Sequence, residues 1–204
     1  MTQIFLLSPA YCGGRRAAIL LNPESKAAIV ARLNGGALTL GEAFSFMSGL
    51  YFRGKLAYAT AFGRAESGQS ATFVITPTRG LQSPELPVTA ALIREFAEVD
   101  ISDGDPRYHK PLERDLTALA AELPKNARAV LLGSVATGKY VDQLSRILGP
   151  RLHFPPSFIG RGDMSRGGLL LRSARASTEL EYAVLHPGLE RRGARPAKLP
   201  KLLR

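Results

Sequence analysis

The sequence predicts an α/β protein: a three-layer α/β/α fold around a mostly parallel, four- to five-stranded Rossmann-like sheet. Three observations carry this. Short apolar runs closed by turn residues recur along the chain. Helical patterns fall between them, and apolar strands separated by helices call for a parallel sheet covered on both faces. The chain has 204 residues, 45% of them hydrophobic, enough to bury a sizeable core in one domain.

The elements follow in order. "QIFLL" (Gln3 to Leu7) is the first strand, ended by Ser8-Pro9. "NPESKAAIVARL" opens with Asn22 as an N-cap, Pro23 at the first helical position and Glu24 in the first turn, which predicts a helix. Gly41 to Phe62 is long and periodic, with Phe44, Met47, Tyr51 and Tyr58 near one stripe. It predicts one helix, weakened by Gly49 and Gly54. "ATFVITP" is the second strand, and "VTAALIREFAEV" a helix. "PLERDLTALAAEL" is a helix started by Pro111, with leucines at helical spacing. "RAVLL" is the third strand, and "YVDQLSRIL" a helix stopped by Gly149-Pro150. "RLHFP" is the fourth strand, "MSRGGLLLRSA" a helix capped by Asp163, and "LEYAVLHP" a fifth strand.

The net charge of +10 attracts phosphates and acidic surfaces. Half of this excess sits in residues 190–204, where six basic residues face one acid. Residues 1–189 are therefore expected to form a single α/β domain, and 190–204 a basic C-terminal tail that either solubilises or contacts nucleic acid. The one cysteine, Cys12, excludes an intrachain disulfide and a cysteine-built zinc site. No apolar run is long enough to span a bilayer, and no basic segment precedes the first one, so a cytoplasmic protein is expected.

In open parallel sheets, ligands sit beyond the carboxyl ends of the strands. Here four such ends lead into "SPAYCGGRR", "TPTRGL", "GSVATGKY" and "PPSFIGRGDMSRGG". These loops gather basic residues, small hydroxyls and glycines that allow close backbone approach to an anion. The expected phosphate- or nucleotide-binding set is Ser8, Gly13, Gly14, Arg15, Arg79, Gly133, Ser134, Gly138, Lys139, Tyr140, Arg161, Ser165 and Arg166. Gly133 to Lys139 has the G-x-x-x-x-G-K spacing of a triphosphate loop. However, Tyr140 replaces the magnesium-holding Ser or Thr, and "RLHFP" ends in proline where a metal-positioning aspartate would stand. A triphosphatase is thus disfavoured, while a loop for one phosphate, a ribose or a base edge remains open.

Three residues are candidates for chemistry. Cys12 precedes two arginines that would lower a thiol pKa, although lone cysteines more often pack as small apolar residues. Asp163 and Glu42 are the carboxylates nearest the expected crevice and the candidates for general acid–base work. Asp163 fits equally as a helix cap or an arginine partner. The three histidines have no metal-ligand spacing, and Asp100, Asp103 and Asp105 lack the glutamate of a calcium loop, so no metal or cofactor is expected.

The order of segments resembles a group of poorly characterised bacterial and phage α/β domains, similar also to a domain of archaeosine synthases. The matching positions are Ser8, Cys12, Leu50, Tyr51, Phe52, Arg53, Lys55, Tyr58, Ala59, Gly80, Leu81, Gly138 and Tyr140, within residues 3–175. Gly13-Gly14 and the long segment around Arg161 depart from that pattern. The resemblance implies a Rossmann-like fold and a link to nucleotide or modified-base metabolism, and it makes Tyr140 an expected loop residue. The resulting expectation is an intracellular enzyme acting on a nucleotide or nucleic-acid base, by glycosidic-bond or base-modifying chemistry, with Tyr51 or Tyr140 stacking on the base. The alternative is a non-catalytic DNA- or RNA-binding protein gripping the backbone with crevice and tail.

Overall fold

In the computed structural model, which describes residues 1–66, 69–101, 104–136, 138–186, 188–190 and 193–197, β1 (Gln3–Leu7) lies at the centre of a six-stranded sheet. The order is β3-β2-β1-β4-β5-β6, with β2 (Thr72–Ile75), β3 (Leu81–Gln82), β4 (Arg128–Leu132), β5 (Leu152–Phe154) and β6 (Ala183–Val184). The inner pairs are parallel: β1 with β2, β1 with β4, and β4 with β5. Both edges are antiparallel additions, β3 on β2 and β6 on β5. The expected three-layer fold is present, with one more strand than predicted. The two-residue β3 is too short to carry a sequence pattern.

Helices cover both faces because successive strand residues point to opposite sides. Phe5 and Leu7 face a core built with α1 (Arg15–Leu21), α2 (Ala28–Asn34), α3 (Leu40–Ser48), α4 (Leu50–Phe62), α5 (Ala90–Ala97) and α8 (Asp163–Arg175). Ile4 and Leu6 face a second core built with α6 (Pro106–Glu122) and α7 (Gly138–Leu148). Fully buried apolar strands are what a sheet sandwiched between helices requires.

Three helix expectations are corrected. Asn22 does not start a helix: its backbone N–H closes α1 on Ile19, and its side chain accepts from the Glu24 N–H in a turn before α2. The long helix from Gly41 is two, because Gly49 adopts φ +64°, a conformation that ends α3 and redirects α4. Gly54 stays inside α4 for another reason. A Cβ there would lie 2.6 Å from the Gly167 carbonyl oxygen, and one on Gly167 would lie 2.7 Å from the Leu50 carbonyl oxygen, so α4 and α8 cross backbone to backbone. Finally, α6 begins at Pro106 with Asp105 as its N-cap, so Pro111 lies inside the helix. Asp105 is thereby a cap, while Asp103 lies outside the described residues.

Helix α4 runs antiparallel to β1. Lys55 reaches Ser8 just past the carboxyl end of the strand, and the Phe62 carbonyl accepts from Gln3 at its start. Of the tail, residues 193–197 fold back on the loop before α8: the Arg161 guanidinium donates to the Ala197 carbonyl at 3.5 Å. Among the described residues no helix is long and apolar enough to cross a membrane.

Candidate functional site

The loops after β1 and β4 converge with the starts of α4, α7 and α8 around a cavity of about 670 Å³. Its walls include Ser8, Gly14, Arg15, Tyr51, Ser134, Lys139, Tyr140 and Asp163 from the expected set, together with Arg16 and Tyr11. Arg15 and Lys139 are exposed at this cavity. Arg16 is tethered by its Nη1 to the Phe46 carbonyl at 3.3 Å. Tyr11 is 79% exposed, an unusual position for a large ring in a folded chain, and it stands beside these cations.

The floor is made of buried polar groups. Lys55 is only 1% exposed, yet among the described residues the hydrogen-bond partners of its Nζ are the two oxygens of Ser8: the carbonyl at 2.6 Å and Oγ at 2.9 Å. The amine lies over the Tyr51 ring at 4.5 Å and the Phe52 ring at 4.8 Å. Burial pulls its pKa down to about 7; the Asp163 charge opposes this and the Arg166 charge adds to it. Such a group is divided between ammonium and amine at neutral pH.

Tyr140 completes the floor. Its ring packs in the second core, and burial pushes its phenol pKa up while hydrogen bonding with Ser8 and the Ser134 backbone pulls it down. Gly133 makes room for this meeting, since a Cβ there would stand 2.9 Å from the Tyr140 hydroxyl and 3.0 Å from Ser8 Cβ. Tyr51 is buried as well, and among the described residues its hydroxyl has no hydrogen-bond partner. Arg166 acts on that hydroxyl electrostatically but not in hydrogen-bond geometry. Burial of both rings removes the expected stacking role from Tyr51 and Tyr140 and leaves Tyr11 as the exposed ring at the cavity. Tyr11 is a residue that sequence reasoning missed.

Other expected residues lie elsewhere or are already engaged. Arg166 is buried in α8, where Nε donates to the Phe158 carbonyl at 3.2 Å and Nη1 reaches Asp163 at 3.3 Å. It braces the site from behind and is not an exposed phosphate clamp. Asp163 is the first residue of α8 and does not cap it. Arg161 donates to the Ser157 carbonyl and to Ser165 Oγ, so these two residues tie their own loop together. Arg79 forms a two-point pair with Glu95, at 2.8 and 2.6 Å, away from this cavity. Gly13 packs against the Tyr11 ring, and Gly138 begins α7.

Two candidates for chemistry are overturned. The Glu42 carboxylate closes a capping box with Thr39 and pairs with Arg32 at 2.7 Å, and the Thr39 N–H and the Arg32 guanidinium hold it below the usual carboxylate range. Cys12 is buried; its thiol points to the Ala10 carbonyl, and burial pushes its pKa up to about 12. The arginines that follow it in sequence do not activate it.

A second, larger groove of about 1170 Å³ runs between α5 and α6. Three of its cations are paired, Arg79 with Glu95, Arg107 with Asp105 and Arg114 with Asp115, and Lys110 is exposed at its wall. Size alone therefore does not mark the site; the buried lysine, with no carboxylate in hydrogen-bond reach among the described residues, does. Its signal was in the sequence. Lys55 falls four residues after Tyr51 and three before Tyr58, a cation on the apolar stripe of an amphipathic helix.

The fold and cavity together define a class: a mostly parallel α/β protein with a basic cavity at the carboxyl ends of its central strands. Comparison with protein-family models, curated proteins and solved structures finds no match.

Proposed function

We infer that the protein is an enzyme that binds a nucleotide, free or within nucleic acid, in the cavity beyond β1 and β4. The observation that carries this reading is one cavity walled by Arg15, Arg16, Lys139 and the exposed ring of Tyr11, with Ser8 at its floor and the neutral-poised Lys55 buried behind Ser8. Cations at the walls hold phosphate, the ring stacks on a base, and a polar floor with a perturbed pKa supplies chemistry. The resemblance of its motif order to nucleotide-associated α/β domains, read from the sequence, points the same way.

Glycosidic chemistry by two carboxylates loses its support, since Glu42 caps α3 and, among the described residues, Asp163 is the one carboxylate lining the cavity. Calorimetric titration with nucleoside mono- and diphosphates tests the binding. Lys139→Ala and Arg15→Ala are each expected to weaken it about tenfold or more, the loss typical of a charged hydrogen bond. Unchanged affinity in both variants, or no binding by the intact protein, ends this reading. The uneven charge favours a second one, a nucleic-acid-binding protein gripping by its tail. In that case removal of residues 190–204 abolishes DNA or RNA binding and flattens its salt dependence.

A further inference from the structure

We propose that Ser8 is a nucleophile and Lys55 its general base, acting in phosphoryl transfer from the bound nucleotide. This rests on the nucleotide reading for its substrate but not for the reactivity of the pair. The argument is geometric. Ser8 follows the last residue of the central strand and lines the cavity, while Lys55 stands directly behind it on α4, sealed from water. A neutral amine has two N–H donors and one lone pair. The ammonium form donates to the Ser8 carbonyl at 2.6 Å and to Oγ at 2.9 Å; in the amine form one donor stays on the carbonyl, and the lone pair at the same 2.9 Å accepts the hydroxyl proton once Ser8 turns it from Tyr140.

The groups acting on the amine are Tyr51 from its own helix and Asp163 and Arg166 from α8, while Tyr140 from α7 meets Ser8. None of these is a carboxylate within hydrogen-bond reach of Nζ among the described residues, so nothing locks Lys55 as an ammonium. A serine next to an amine poised near neutrality is the arrangement by which a hydroxyl becomes nucleophilic.

In the step, Ser8 Oγ forms a bond to phosphorus while Lys55 Nζ takes the hydroxyl proton. The bond from phosphorus to the leaving oxygen breaks, and that oxygen departs with the electron pair to solvent, which protonates it. Water then attacks the phosphoserine and loses a proton to solvent. The Oγ–P bond breaks, and Oγ recovers its proton from the Lys55 ammonium. The cations at Arg15, Arg16 and Lys139 hold the anionic oxygens throughout. Lys55 touches the reacting oxygen and not the substrate.

The test uses the intact protein and a fluorophosphonate probe, whose fluoride is displaced by an activated serine. Mass spectrometry should find the adduct on Ser8, with a labelling rate that rises as pH passes about 7, because only the amine form of Lys55 accepts the proton. Ser8→Ala should abolish the adduct, and Lys55→Met and Lys55→Arg should slow it by about 100-fold or more. Circular dichroism checks that both variants fold; if neither folds, the pH profile of the intact protein decides. No adduct, an adduct on another residue, or a Ser8 rate flat from pH 6 to 8 overturns the proposal. Protection by a nucleoside diphosphate joins the reactivity to the nucleotide reading. Labelling at Ser8 that no nucleotide slows keeps the nucleophile and overturns that reading alone.

Discussion

The two ends of helix α4 solve the same problem in opposite ways. Each places a tyrosine hydroxyl against the end of β1, in the dry space between helix and sheet. At the amino end of the strand the polar groups close on one another. Tyr58 and Tyr182 share a hydrogen bond of 2.6 Å, and Tyr58 also accepts from the Leu180 N–H. Tyr182 donates to Glu179, which also receives Arg64 and Gln3, and Gln3 reaches the Phe62 carbonyl. At the carboxyl end the cluster stays open: among the described residues the Tyr51 hydroxyl has no partner and Lys55 has no counter-ion in hydrogen-bond reach. A satisfied network stabilises one conformation. An unsatisfied one costs stability and marks where a ligand or a reaction supplies what is missing.

The largest effect should come from breaking both ends together. Gly54 lies between Lys55 and the Gly167 backbone, with no space for a side chain. Gly54→Leu must force α4 and α8 apart, and it should cost more than the ~1–3 kcal/mol of ordinary overpacking because the obstacle is backbone. Thermal melting followed by circular dichroism reads this. Gly168, one residue further on α8, has open space beside it, and Gly168→Ala should be harmless or stabilise by up to ~1 kcal/mol. Similar losses in both variants would mean that the helix crossing does not set the geometry of the site.

The next effect separates the two ends by pH. The folded pKa of Lys55 is near 7, below that of a lysine in the unfolded chain, so the folded state holds fewer protons between about 7 and 10.5. The sign follows: the contribution of Lys55 to stability rises with pH across that window, by up to about 1.4 kcal/mol per unit, and the raised Cys12 pKa opposes it above about pH 9. Lys55→Met lacks this rise, so its stability relative to the parent falls from pH 7 to pH 10. Glu179 behaves the other way. Burial pushes its pKa up, but hydrogen bonds from Arg64, Gln3 and Tyr182 outweigh this and leave it below the usual value. Its contribution is present above pH 4.5 and is lost as pH falls below. Denaturant titrations at several pH values, on the parent and on each single variant, assign the alkaline slope to one end and the acid slope to the other. An alkaline slope retained in Lys55→Met would break the contrast.

At the closed end, Tyr58→Phe leaves the Leu180 N–H without its acceptor and the Tyr182 hydroxyl with Glu179 alone. The expected cost is about 1–3 kcal/mol, since removing one member of a buried network strands the others. A change within 0.5 kcal/mol of zero would show that this network does not hold α4 to the sheet.

The sequence carried much of the fold and part of the site, for separable reasons. The inner strands were legible because burial on both faces forces continuous apolar runs, as in "QIFLL" and "RAVLL". The edge pairs were not, since two residues such as Leu81–Gln82 have no period to detect. The site loops were legible through glycine and charge, which brought Ser8, Arg15, Ser134, Lys139 and Tyr140 to one cavity. Glu42 and Cys12 were misplaced because nearness in sequence says nothing about which way a side chain turns. Glu42 turned to Thr39 three residues back, and Cys12 turned into the core. Lys55 stood in plain view, but a lysine on an apolar stripe can extend its amine to solvent. Only the packing of α8 over α4 shows that it does not.

Tyr51→Phe gives the smallest expected effect and the sharpest comparison, because it is the same atom deletion as Tyr58→Phe at the other end of one helix. The Tyr51 hydroxyl is buried and, among the described residues, has no hydrogen-bond partner, so its removal takes none of their hydrogen bonds and relieves a desolvation cost. The variant should match the parent or exceed it by about 1 kcal/mol. Opposite signs for one substitution at two ends of α4 would establish that the open end is maintained against stability. The ring itself must remain, since it shields the Lys55 amine at 4.5 Å, and Tyr51→Ala should admit water and raise the lysine pKa. Labelling of Ser8 then discriminates: Tyr51→Phe should keep the rise through about pH 7, and Tyr51→Ala should move it to higher pH. If Tyr51→Phe instead destabilises as Tyr58→Phe does, its hydroxyl has a partner in solution, and the open end is a second closed network.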